Sequence, residues 1–155
     1  MKIEPKFIEM LMSAALEEGE LARKEGEVPI GAVVGVGDKV VARAHNEMEQ
    51  RRNATAHAEV LALGRAGEVL GDWRLTQAVL CVTVEPCTMC AGAISLSRIG
   101  TVVFGAADSR LGAYGSLYDI SQDDRLGTPP RVITGVREKD CRDLMQRFFS
   151  ERRAK

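Results

Sequence analysis

The sequence predicts an α/β layered domain built on a mixed sheet. Short β-branched runs near residues 30–45, 77–84 and 101–106 alternate with longer stretches of helical period. Gly, Asn and Asp punctuate the joints, and no repeat, low-complexity tract or linker interrupts the pattern. Residues 6 to 25 carry Phe7, Ile8, Leu11, Met12, Ala15 and Leu16 at helical spacing, which predicts an amphipathic helix stopped by Gly26. IGAVVGVGDKVVARAHN (30 to 46) reads as two strands around a Gly37-Asp38 turn. The polar stretch EMEQRRNA leads to a helix from Thr55 to Leu70, and QAVLCVTV (77 to 84) is a buried-strand run. A helix is expected from Pro86 to Ser97, a strand at TVVFGA (101 to 106), and a Gly-punctuated loop at LGAYGS (111 to 116). RVITGV (131 to 136) is the fifth strand, and REKDCRDLMQRFFSERR closes the chain as a helix.

The 155 residues suit one domain spanning 1–155, large enough to bury a core without staples. No apolar run approaches the ~20 residues of a membrane span, and MKIEPKFIEM lacks a signal-peptide core, so a cytoplasmic, membrane-free protein is expected. That compartment keeps thiols reduced and turns a close cysteine pair towards metal or redox chemistry. A net charge of −1 argues against a non-specific nucleic-acid coat but leaves room for a local basic patch.

Two half-motifs carry the chemistry. In VEPCTMCAGA (84 to 93), Pro86 suits the first helical position, which would set Cys87 and Cys90 at i and i+3 on one helix face. There the positive end of the helix dipole favours thiolate, the form that binds metal. Two sulfurs are half a zinc site, and His57 of TAHAEV (55 to 60) is the natural third ligand. Glu59 lies two residues on, about 200° around a helix from His57. Both can face one centre only if His57 sits at the very start of its helix, where Asn53-Ala54-Thr55 offers cap chemistry.

One His and two Cys leave a fourth position open, the mark of a catalytic rather than a structural zinc. Zinc brings bound water to a pKa near 7, and a carboxylate beside it can carry the proton, which is the role assigned to Glu59. Taken alone, a CxxC is equally a redox pair or a finger knuckle, and an HxE recurs by accident. Joined across one chain, they make one site. Cys81, in a strand run, and Cys141, on the last helix, fit core packing; His45 reads as a loop or pocket residue.

The pattern H-A-E…P-C-x-x-C resembles the cytidine deaminase-like superfamily of zinc deaminases. EVPIGAVV (27 to 34), Asn46, TAHAE (55 to 59), VTVEPCTMCAGAI (82 to 94), SRIGTVVFGA (97 to 106), Asp108 and GAYGS (112 to 116) look like the bacterial tRNA-specific adenosine deaminases. The resemblance implies a three-layer α/β/α fold with a central mixed five-stranded sheet, and a homodimer. It implies one Zn²⁺ per subunit held by His57, Cys87 and Cys90, with Glu59 shuttling protons. Asn46 would hydrogen-bond the base, Val28, Ile30 and Val84 would line its pocket, and Ala58, Asp108 and Phe149 would complete the substrate contacts. Hydroxide would add to C6 of adenine, ammonia would leave, and inosine would remain at the wobble position of a single-stranded tRNA anticodon loop.

Departures from the family pattern fall at Glu47, Ala107 and Leu111, on loops expected to face RNA. They keep open an alternative in which the same chemistry acts on a free purine base or nucleoside. A non-catalytic zinc-stabilised RNA-binding module is the third reading, and a carboxylate beside an open coordination position argues against it. Candidates for an RNA patch are Arg51, Arg52, Arg110, Arg147, Arg152 and Arg153, with Phe148 and Phe149 among the last group. The CTMCAGAISLS helix is apolar almost all round, so either its own domain or a second copy must cover it.

Overall fold

A computed structural model describes residues 2–154; Met1 and Lys155, the ends of the expected domain span, lie outside the described residues. Helix α1 (Pro5–Lys24) is followed by strands β1 (Gly31–Val36) and β2 (Lys39–His45) and a short helix α2 (Met48–Arg51). Helix α3 (Ala58–Leu70), strand β3 (Val79–Val84), helix α4 (Thr88–Ser97) and strand β4 (Thr101–Ala106) come next. A 3-10 turn at Asp124–Leu126 precedes strand β5 (Arg131–Ile133) and helix α5 (Glu138–Arg153).

The sheet order is β2-β1-β3-β4-β5. β1 is antiparallel to both β2 and β3, whereas β3, β4 and β5 run parallel. The mixed five-stranded sheet and its two helical layers match the expectation. The period of two in the strands decides which helix covers which face. Ala32, Val34, Leu80, Val82, Val102 and Phe104 point to the side of α3 and α4. Their neighbours Val33, Val79, Cys81 and Val103 meet Leu11, Met12 and Ala15 of α1 and Cys141 of α5 on the other side. Each fully buried Val, Leu or Ile contributes roughly 1.5–3 kcal/mol, so both faces supply core. Cys81 and Cys141 are core residues, with each Sγ against the Met12 sulfur at 3.9 and 3.7 Å. Gly31 lets β1 approach α1 closely, because a Cβ there would lie 1.9 Å from the Ala15 carbonyl.

Three boundaries and one additional helix stand out against the sequence reading. α3 starts at Ala58 rather than Thr55, because Asn53 Oδ1 accepts from the Thr55 amide (2.9 Å) and hydroxyl (2.8 Å) and holds a turn instead. α4 starts at Thr88 rather than Pro86. β5 stops at Ile133, and two residues on Gly135 takes φ 76°. α2 lies within the polar stretch read as irregular, and its amides at Glu49 and Gln50 donate to the buried Glu27 carboxylate at 3.0 and 2.8 Å. A cap supplied from another segment leaves no local sequence signal.

Candidate active site

β3 ends at Val84, and the chain continues through Glu85, Pro86 and Cys87 into α4. Cys87 is the N-cap of α4, in extended backbone at φ −78° and ψ 177°, not a residue of its first turn. Pairing with a second segment keeps it extended: Cys87 bridges Gly112, and the Pro86 carbonyl accepts from the Ala113 amide at 2.9 Å. Cys90 falls in the third helical position and is fully buried. His57 is likewise an N-cap, at φ −77° and ψ 150°. The condition set by the helical geometry is therefore met, since His57 sits outside the helix and Glu59 within its first turn.

Two helix N-termini thus converge. His57 Nδ1 lies 3.6 Å from Cys87 Sγ and 3.5 Å from Cys90 Sγ. All three donor atoms fall within 4.8 Å of one another. Tetrahedral zinc, with Zn–S near 2.3 Å and Zn–N near 2.0–2.1 Å, sets sulfur and nitrogen about 3.6 Å apart, so the donor set fits that ion. The group could hold a metal with a fourth position free of protein ligands.

The electrostatics suit a cation. The neighbouring Cys90 thiol, and then His57, draw the Cys87 sulfur down to about 4, a thiolate at neutral pH. The Cys87 sulfur beside it, and then burial, hold the Cys90 thiol well above its ordinary range, so one proton is left for a metal to displace. His57 is raised, first by its bond to Cys87; burial opposes this and the Glu59 and Cys87 charges reinforce it. Glu59 is only 4% exposed. Burial above all, and then the Cys87 thiolate, push its carboxyl up to about 7. A carboxyl poised there both takes and gives a proton near neutrality.

A cavity of about 560 Å³ opens over this cluster, within the range of small-molecule sites. Val28, Ile30, Asn46, His57, Ala58 and Glu59 line it, with Cys87 at its floor and Asp108 and Phe149 at its sides. Val84 is the one sequence-named pocket residue placed elsewhere: it is buried beneath an adjoining depression shared with Asp108, Arg110, Met145 and Phe149. Asn46 is buried, its Nδ2 donating to the Val28 carbonyl (3.3 Å) and its Oδ1 accepting from the Met48 amide (3.1 Å). One N–H and one lone pair of its amide remain for a ligand.

The basic candidates divide. Arg110 and Arg152 line the cavity, and Arg153 lines the adjoining depression. Arg147 is drawn to the α1 side by Glu20 at 2.6 Å, and Arg51 pairs with Glu47 at 2.7 Å. Phe148 is buried and Phe149 half-buried, their rings edge to face at 5.3 Å between centroids. His45 belongs to neither loop nor pocket: its two ring nitrogens meet Glu18 at 2.8 Å and Glu25 at 2.9 Å. Sequence reasoning gave no role to Glu85 and Met145, both in the cavity wall. Met145 could have been found from its i+3 and i+4 relation to Phe148 and Phe149 on a helix. Glu85 stands in the quoted Glu-Pro prefix, but nothing in the prefix says what it holds.

A mixed five-stranded sheet carrying a His/Cys/Cys group at two helix ends, with a buried carboxylate beside it, defines a hydrolytic deaminase of the cytidine deaminase-like type. The MafB19-like deaminase family profile matches residues 8–153. A tRNA-specific adenosine deaminase of Bacillus subtilis (strain 168) is 45% identical over 147 residues, 95% of this chain and 91% of that protein. One from Haemophilus influenzae is 39% identical over 153 residues, 98% of this chain and 88% of that protein. A solved structure from work on A-to-I editing by tRNA deaminases at the wobble position of transfer RNA superposes with a TM-score of 0.82. It is 40% identical and covers 87% of this chain and 98% of its own. Guanine deaminase from Nitrosomonas europaea shares the fold at a TM-score of 0.80 and 22% identity, covering 97% of this chain and 87% of its own. The chain belongs to the tRNA-specific adenosine deaminase family.

Proposed function

We propose that this chain is a zinc-dependent deaminase that converts the wobble adenosine of a tRNA anticodon loop to inosine, with release of ammonia. The observation that carries the reading is the His57, Cys87 and Cys90 donor set at tetrahedral spacing, with Glu59 buried in the same cavity. Zinc, one ion per subunit, supplies at this site a water activated at neutral pH. Glu59 would take one proton from the attacking water and pass it to the ring nitrogen next to the attacked carbon, then collect the second proton from the added hydroxyl and give it to the departing amino group. Water enters, ammonia leaves, and the C6–N bond is replaced by C6=O.

The free N–H and lone pair of Asn46 read the base edge, while Val28, Ile30 and Ala58 hold its faces away from bulk water. Val84 acts from beneath, through the adjoining depression. Phe149 offers a face for an unpaired neighbouring base, and Asp108, Arg110 and Arg152 meet the loop at the rim. Residues 1–155 act as one deaminase domain in the cytoplasm; no helix among the described residues is long and apolar enough to cross a membrane.

A homodimer forms over the groove between α3 and α4. That groove, about 900 Å³ and larger than the cavity over the cysteines, is lined by Leu63, Trp73, Ala93 and Leu96, with Glu68, Asp72 and Arg74 also in its wall. Leu96 is 77% exposed in the single chain.

The test supplies an anticodon stem-loop with adenosine at the wobble position, alongside free guanine, adenine and cytosine. Ammonia release from the stem-loop supports the reading, and release from a free purine alone transfers it to the small-molecule alternative. Metal analysis of the same preparation is expected to give one zinc per chain.

A further inference from the structure

Glu85 is a second buried carboxylate in the cavity wall, 4% exposed, and the proton shuttle does not use it. Its two oxygens accept four hydrogen bonds, all from one stretch of chain. Oε1 takes the Asp108 amide at 3.0 Å and the Ser116 hydroxyl. Oε2 takes the amides of Tyr114 at 2.9 Å and Ser116 at 3.0 Å. Asp108, held in this way, accepts in turn from the amides of Arg110 (3.0 Å) and Leu111 (3.2 Å). Gly112 packs its backbone on the same carboxylate, where a Cβ would lie 2.3 Å from Oε2. Two links therefore run from the cysteine-bearing segment to the rim: Glu85 to Asp108, and Asp108 to Arg110. Arg110 is exposed at the cavity mouth and has no carboxylate partner among the described residues.

We propose that Glu85 is a positioning residue that fixes the 108–116 loop so that Arg110 reaches a phosphate flanking the target base. The idea rests on the tRNA-deaminase reading above. An isolated loop of this composition, with Gly112 and Gly115, would sample many conformations. A flexible arginine binds phosphate only in the fraction of time its backbone is correctly placed, and affinity falls by that fraction. A carboxylate suits the task because it accepts at both oxygens; an amide would turn an NH₂ donor onto two of the four donors it meets.

The test measures steady-state kinetics on a wobble-adenosine stem-loop, and anisotropy binding of the same stem-loop carrying inosine, which is not turned over. Glu85→Gln is expected to keep its zinc, to hold kcat within about three-fold, and to raise KM and Kd by on the order of ten-fold. Glu85→Asp, still an acceptor at both oxygens but one methylene short, should recover part of that loss. Ser116→Ala, which removes the hydroxyl donor from the far side of the contact and leaves the cysteine segment alone, should reproduce part of the Glu85→Gln loss, and it decides the matter if Glu85→Gln folds poorly. Arg110→Ala should cost a similar factor, and the Glu85→Gln/Arg110→Ala double variant should be no worse than the poorer single.

Effects that multiply, or a fall in kcat at constant KM, overturn the positioning role. Wild-type protein that binds the stem-loop with this coupling yet leaves its adenosine unchanged removes the functional reading and keeps Glu85. Deamination without coupling does the reverse, and neither binding nor turnover removes both.

Discussion

Replacing Glu59 by Gln keeps the shape of the side chain and removes its ability to ionise, so stability and activity should move in opposite directions. The buried carboxyl titrates at about 7 in the folded chain against an ordinary 4.5. Between those values the native state holds a proton that the unfolded chain has released. The contribution to stability is therefore complete below about pH 4.5 and is lost as pH climbs through about 7. The difference is worth about 3 kcal/mol, to order of magnitude. In metal-stripped, reduced protein, Glu59→Gln should gain on wild type as pH rises from 5 to 8, by roughly 6–12 °C in Tm for a chain of this size. Zinc-loaded, the variant should bind the metal normally yet lose about 10²–10⁴-fold in kcat, the usual contribution of a positioned acid–base group. Circular-dichroism melts at the two pH values, metal analysis and a deamination assay read the three quantities. A Tm gap that does not widen with pH refutes the buried-carboxylate argument. Loss of zinc, or retained turnover, refutes the proton-shuttle role.

Asn46→Ala should fold and bind zinc but lose on the order of ten- to a hundred-fold in kcat/KM, since it removes both hydrogen-bonding faces offered to the base. Unaltered kinetics would leave Asn46 as a turn residue bonded to Val28 and Met48. At His45, burial depresses the imidazolium, but hydrogen bonds to Glu18 and Glu25 outweigh it and the pKa is raised. Its stabilising effect is thus complete below about pH 6.5 and fades as pH rises through the folded value. Wild type should lose more Tm between pH 6 and 8 than His45→Phe, and parallel curves would show that the clamp contributes nothing. Leu96→Glu should convert a dimer into a species of 16.9 kDa in sedimentation; wild type already sedimenting at that mass would remove the dimer.

The alternation of strands and helices was readable because both sheet faces are covered, which leaves β3 and β4 buried at every position and mostly apolar. The site was readable because its three ligands lie in two short motifs, each at a helix start. The geometric condition on His57 and Glu59 followed from helical pitch alone, and an N-cap His57 satisfies it. What stayed hidden depends on contacts between distant segments. α2 is capped by Glu27, more than twenty residues upstream, so nothing near Met48 signals a helix. Cys87 is held extended by Gly112, and the helix therefore starts after Pro86 rather than on it. Arg147 resembles its neighbours on a basic helix until Glu20 of α1 claims it. Glu85 was visible as a residue, but its four donors come from a loop some thirty positions away.

The most direct measurement follows oxygen. Zinc-loaded protein is incubated with a wobble-adenosine stem-loop in ¹⁸O-labelled water, and the RNA is digested and analysed by mass spectrometry. The account predicts inosine at the wobble position alone, carrying one solvent-derived ¹⁸O at C6, with one ammonia released for each. Stem-loop adenosine left intact, while a free purine in the same tube takes up the label, would contradict it.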